Sequence, residues 1–271
     1  MTEFVPVRGG RLAFDATGDG PPIVLMHAWI CDRRMWDDLM PLFARRHRIV
    51  RYDKRGFGET EVSERVRYSN RADVIAVLDH VGVDRATLLG VSGGAVVALD
   101  TALEFPDRLA SLVCVAPGIS GFDGGDTDDE AKAFAELERL EESREWPALV
   151  DGEVAMWVDG LGQSPDRVRS VRERVRMMNL DAYTKHADEP LDDVIPLEPR
   201  ATGRLSSVTA PTLVVVGDLD TSSTIASARR IGTEVPGAQR VEWKGVAHLP
   251  PMERPAEFVQ LVEAFLDRAG A

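Results

Sequence analysis

The sequence predicts an α/β layered fold with a mostly parallel central sheet flanked by helices. Short continuous apolar runs recur at Ile23 to His27, Arg48 to Tyr52, Ala86 to Val91 and Leu112 to Ala116, as expected of strands buried on both faces. Between them, Met35 to Ala44, Arg71 to Val81 and Gly94 to Glu104 repeat apolar residues at helical spacing, as Val74, Val77, Leu78 and Val81 show. Strand and helix therefore alternate along the chain.

The remaining elements follow in order. Phe4 to Val7 and Arg11 to Ala16 flank Gly9-Gly10 and read as an opening hairpin. After Ala116 the alternation stops. Pro117-Gly118 and the tract Gly121 to Glu130 break it, and charged helical segments follow over Ala131 to Glu145 and Pro165 to Met178. A buried-type strand returns only at Thr212 to Gly217, followed by a helix near Ser223 to Glu234, a strand near Arg240 to Trp243 and a closing amphipathic helix over Ala256 to Ala269. The expected organisation is one core from residues 1–118 and 209–271, with a helical insertion over 119–208 between two of its strands.

Composition narrows the function. In 271 residues, 45 acidic side chains against 32 basic ones leave a formal charge of -13. That balance disfavours binding to a phosphate backbone and to anionic lipid. No run approaches the roughly 18 apolar residues of a membrane span, and Met1 to Asp15 has no leader pattern, so the chain reads as cytoplasmic. Cys31 and Cys114 form neither a disulfide framework nor a zinc-ligand pattern. Neither a cofactor nor a metal is implied. The run Asp126 to Glu130 lacks the spacing of a calcium loop and reads as a solvated turn with Asp126 or Thr127 capping the next helix. The oligomeric state, homo-oligomer included, stays open.

The strongest local signal is Gly90-Val91-Ser92-Gly93-Gly94, which ends an apolar strand and begins a helix. A G-x-S-x-G segment in that context makes a strained turn that lifts a serine hydroxyl above the sheet. A serine needs a base. His47, His80 and His186 sit among polar or helical residues and read as surface or packing histidines, whereas His248 lies in a Gly- and Pro-flanked loop after the last strand. Such loops carry reacting groups in α/β enzymes. An imidazole base needs a carboxylate on its other nitrogen. Of the two acids in Gly217-Asp218-Leu219-Asp220, Asp220 lies farther into the loop and is preferred, with Asp218 read as a turn or cap.

Ser92, Asp220 and His248, in that order, resemble the α/β-hydrolase superfamily. So do Val24 to Trp36, similar to the loop that ends in Trp in esterases, lactonases and cofactor-free haloperoxidases, and Tyr52 to Thr60, similar to the Tyr-Asp-x-Arg-Gly-x-Gly turn. Phe105 to Leu109 and Ala247 to Phe258 resemble the segments after the elbow helix and around the histidine. The resemblance implies Ser92 as nucleophile, His248 as base and Asp220 as its orienting partner. The backbone N–H groups of Trp29 and Gly93 would form the oxyanion hole, and Trp29 would also line the pocket. His27, Asp53 and Arg55 would be scaffold. It further implies a helical cap supplying Trp146, Met156, Trp157, Met177, Met178 and Tyr183 as candidate pocket residues, and a small ester or lactone as substrate. Carbon-carbon bond hydrolysis, perhydrolysis, a non-hydrolytic biosynthetic reaction or ligand binding would use the same framework. Three departures stand out. Ala28 replaces a glycine, which matters if that position needs a positive φ. Gly93 replaces a larger residue and suggests a roomier site. Thr60 replaces a serine.

Overall fold

A computed structural model of the chain describes residues 2–270. Strands β1 (Glu3–Val7) and β2 (Gly10–Thr17) form the expected hairpin. They are followed by β3 (Pro22–Met26), a 3-10 turn (Arg33–Trp36), α1 (Met40–Phe43), β4 (Arg48–Tyr52), β5 (Glu61–Val62), α2 (Asn70–His80), β6 (Ala86–Val91), α3 (Gly93–Glu104) and β7 (Leu109–Val115). Next come α4 (Asp128–Glu142), α5 (Trp146–Val154), a π-helical turn (Ala155–Gly160) and α6 (Arg169–Lys185). The chain ends with β8 (Thr212–Gly217), α7 (Ser222–Glu234), β9 (Gln239–Trp243), α8 (Pro250–Glu253) and α9 (Pro255–Ala269).

The sheet order is β1-β2-β4-β3-β6-β7-β8-β9, with β5 added against β2. The β1–β2, β2–β4 and β2–β5 pairs are antiparallel, and every pair from β4 to β9 is parallel. Alternate residues of the central strands feed two separate cores. Val24, Met26, Leu88, Val214 and Val216 pack on one face, and Ile23, Leu25, Leu89, Val91, Leu213 and Val215 on the other. Two covered faces explain why these strands read as unbroken apolar runs.

Three local differences stand out, the first two with clear causes. The expected helix over Met35 to Ala44 is instead a 3-10 turn, capped by the Asp32 carboxylate accepting from Arg34 N, and then α1. Pro41 has no N–H to give Asp37, so one continuous helix cannot pass through it. In the segment between β7 and β8, the sequence does not predict α5, because Pro147 and Gly152 weaken its signal, yet Pro147 stands in the first turn, where no N–H is required. Finally, α6 runs to Lys185 rather than ending at Met178.

The acidic loop closes on a capping device. Thr127 Oγ1 accepts from Glu130 N and Glu130 Oε2 accepts from Thr127 N, while Glu130 Oε1 accepts from Ser222 N at the start of α7. One buried carboxylate thus secures two helix N-termini. Burial works against its charge, but these N–H donors prevail and its pKa lies below the usual glutamate range. We expect Glu130→Ala to cost about 1–2 kcal/mol in urea unfolding, with the slope unchanged, the range for lost caps. Because the folded pKa is depressed, the contribution is present above the ordinary glutamate range and fades as pH falls through the folded value. A wild-type-like midpoint for Glu130→Ala at neutral pH would contradict the assignment.

Candidate active site

Ser92 sits between β6 and α3 with φ 54° and ψ -120°, a left-handed conformation unusual for serine. The turn is this tight because the helix crosses the strands at backbone distance. A Cβ on Gly90 would lie 2.2 Å from Gly94 O, and one on Gly94 would lie 2.3 Å from Met26 O. The neighbouring ladder fixes the strained residue, with Ser92 N donating to Val115 O at 2.9 Å and Ser92 O accepting from Ala95 N at 2.8 Å.

His248 and Asp220 are brought together from the ends of β8 and β9. Gly217 is essential here, because a Cβ there would meet Val246 O at 2.0 Å. Leu219 N donates to Val246 O, and Gly245 N donates to the Asp218 carboxylate at 2.7 Å, which makes Asp218 a clamp between the two loops. Nδ1 of His248 lies 2.8 and 2.9 Å from the two Asp220 carboxylate oxygens, and Thr221 N also donates to Asp220. The Asp220 side chain is inaccessible to solvent. That contact directs Nδ1–H toward the carboxylate and leaves Nε2 as the accepting nitrogen.

Ser92, Gly93, His248 and Trp29 border one cavity of about 950 Å³. Among the described residues, the backbone N–H groups of Trp29 and Gly93 donate to no protein acceptor, and at Gly93 this follows from its place at the start of α3. The space above Gly93 is filled, contrary to the roomier site expected: a Cβ there would lie 2.0 Å from Trp29 Nε1. Trp29 is 44% exposed. Its ring stacks on Phe57, and Lys54 Nζ lies 3.7 Å from its centroid.

The loop beneath is held by buried polar groups. His27 Nδ1–H donates to Ala28 O at 2.7 Å, and Nε2 accepts from Lys54 N at 3.0 Å. Burial, and then the neighbouring Lys54, push the His27 pKa far down and keep the ring neutral. Asp53 accepts from the N–H of both Arg33 and Glu59, and Arg55 pairs with Asp73, so both are scaffold. Ala28 is not among the residues with positive φ, so its missing glycine causes no strain. Thr60 keeps the hydroxyl role, donating to Asp53 O and accepting from Ala13 N.

The opposite wall comes from α4, α5, the π turn and α6. Trp146, Trp157 and Tyr183 line it, as expected. Met156 and Met177 do not. Met156 is 2% exposed and packs with Leu137, Leu140 and Leu149, while Met177 is 53% exposed on the outer side of α6, out of helical phase with Asn179 and Tyr183. Met178 belongs to the core. His186, read as a surface or packing residue, reaches the cavity wall. Burial opposes its charge, but Glu189 at 2.9 Å and the Gly58 carbonyl outweigh this and raise its pKa. Sequence reasoning also missed Glu153 and Asn179, which stand one turn before Trp157 and Tyr183 and share their phase.

Comparison with known proteins identifies a family and several similar chains. The model of the alpha/beta hydrolase family matches residues 23–261. A pimeloyl-acyl-carrier-protein methyl ester esterase of Aeromonas hydrophila is 26% identical, over 92% of this chain and 96% of its own. The 3-oxoadipate enol-lactonase 1 of Acinetobacter baylyi is 23% identical, over 96% and 94%. A solved structure of a thermophilic esterase from Thermogutta terrifontis, with malate bound, is 27% identical with a TM-score of 0.76, covering all of both chains.

The Trp29–Gly93 contact makes a prediction about packing. Gly93→Ala must displace the indole, and its activity should fall at least about tenfold while the protein stays folded. In a double-mutant cycle with Trp29→Ala the two losses should be clearly less than additive. Additive losses in hydrolysis of p-nitrophenyl acetate would show that the two residues act apart.

Proposed function

This chain belongs to the alpha/beta hydrolase family, and from that premise we propose that it cleaves a small carboxylic ester or lactone through an acyl-enzyme on Ser92. The observation that carries the reading is the buried His248–Asp220 pair opening on the same cavity as a serine in left-handed geometry. The family and its esterase and lactonase relatives support hydrolysis.

In this reading His248 Nε2 takes the Ser92 hydroxyl proton as Oγ attacks the carbonyl carbon. Asp220 holds the imidazole and stabilises its cation. Negative charge develops on the carbonyl oxygen, where the unused N–H groups of Gly93 and Trp29 would receive it, together with the amino end of α3. The imidazolium then protonates the leaving alkoxide. Water, deprotonated by His248, attacks the ester on Ser92 and releases the acid. Residues 119–208 serve as a cap over the site. They are tied to the base through His248 N, which donates to Trp157 O at 3.1 Å.

Wild-type protein is expected to react with a fluorophosphonate and to turn over short aryl esters. Ser92→Ala should lose labelling and at least about 10³-fold in kcat, and Asp220→Asn should lose on the order of 10²–10⁴-fold with its fold intact. Labelling that survives in Ser92→Ala would place the nucleophile elsewhere.

A further inference from the structure

The helical wall of the cavity carries charge that the hydrolytic reaction does not use. Residues 146, 149, 153 and 157 recur on one side of α5 and its π turn, and 179, 183 and 186 on the facing side of α6. At their meeting point is Glu153, 8% exposed. Its Oε2 accepts from Asn179 Nδ2 at 2.6 Å and its Oε1 from Tyr183 OH at 2.9 Å. Both donors are neutral. Among the described residues no cation pairs with Glu153, nor with Glu138 and Glu141, which border the same cavity; nearby Arg139 is taken by Glu136 and Glu145.

A glutamine would join α5 to α6 through the same two side chains without placing a charge in a half-dry site. Burial pushes the Glu153 carboxyl pKa up, the direction expected where a charge is held out of water. The surroundings suit a cation. Trp146 and Tyr183 stack at 5.1 Å with an interplanar angle of 10°, Trp157 and Phe134 complete an aromatic wall, and Arg144 already approaches the Trp146 ring at 5.9 Å. Aromatic faces beside a desolvated carboxylate attract ammonium groups through both the ring quadrupole and direct charge. With Asp123, Asp126, Glu138 and Glu141 also on the cavity border, against Arg144 as its only arginine or lysine among the described residues, an anionic substrate would be repelled.

We propose that Glu153, with the aromatic wall of α4 to α6, selects substrates carrying an ammonium group, making this an esterase or lactonase for amino-functional esters. The inference rests on the hydrolase reading above for its chemistry, but the binding it requires can be measured without turnover. The test compares phenethylammonium with its neutral isostere 2-phenylethanol by calorimetry at pH 7.5, and follows protection of Ser92 from a fluorophosphonate. Wild type should bind the amine at least about tenfold more tightly than the alcohol, and the amine should protect Ser92. In Glu153→Gln, where a rotated Asn179 amide restores both hydrogen bonds, the ratio should fall to within about threefold. Should that variant fail to fold, Glu141→Gln on the exposed face of α4 should lower the ratio at least about twofold. A wild-type ratio near one, a ratio unmoved by the substitution, or amine binding without protection of Ser92 overturns the proposal. Absence of labelling in wild type would defeat the hydrolase reading instead, leaving the affinity ratio to decide on the ammonium site.

Discussion

Helix α3 lies so close to β3 and β6 that residues 90 and 94 have no room for a side chain. The rest of the site follows from that approach. The chain must turn from strand to helix within two residues, which forces Ser92 to a positive φ at a cost of order 1–3 kcal/mol. Its ladder bond to Val115 and the first bonds of α3 hold it there. In return, the hydroxyl stands over the end of the sheet beside the N–H of Gly93, and no side chain at 93 blocks the approach of Trp29.

The position of Trp29 is set from below by groups that do not line the cavity. Lys54 is buried, its Nζ donates to His27 O at 2.6 Å, and its backbone N–H is accepted by the His27 ring. A protonated His27 could not accept that bond, so burial of the ring and the geometry of the loop reinforce each other. Asp53 draws the loop at Arg33 and the turn at Glu59 onto one carboxylate, and a Cβ on Gly58 would collide with it at 2.1 Å. The glycine turn and the tryptophan loop are therefore one unit, and Trp29 is carried into contact with Gly93 by packing rather than by its own sequence context.

What was legible in the sequence tracks how locally it is encoded. β6 and β8 read to the residue because burial on both faces leaves a nearly uninterrupted apolar run, and β4 because Ile49, Val50 and Tyr52 are buried alongside its two partly buried arginines. Ser92, Asp220 and His248 could be singled out because each lies in the segment that follows a strand, with a glycine at or just beyond the strand's end. β5 could not, being two residues held by pairing with β2. The helical wall was harder still. Trp146, Trp157 and Tyr183 were found by size, whereas Met156 and Met177 have the same apolar character but the wrong phase. The signal for Glu153 and Asn179 was available in their four-residue spacing from Trp157 and Tyr183. Polar residues on an amphipathic helix normally read as the solvated face, and only the assembled cavity reverses that reading.

The same wall is coupled to the chemistry through its backbone. Trp157 leaves α5 by a π-helical turn, a widening common at functional sites. That turn brings its carbonyl to the His248 N–H and its ring to within 6.2 Å of the imidazole. Just beyond it, the Arg167 guanidinium donates to the carbonyls of Val158, Asp159 and Gly245 and pairs with Glu253, whose other oxygen accepts from Ala247 N. The loop bearing His248 is thus suspended from residues 157–167 as well as from β9. A substitution that repacks the wall will also move the imidazole relative to Ser92, so selectivity and rate cannot vary independently at Trp157. They can separate at Glu153, whose anchors, Asn179 and Tyr183, both belong to α6 and leave the His248 loop untouched.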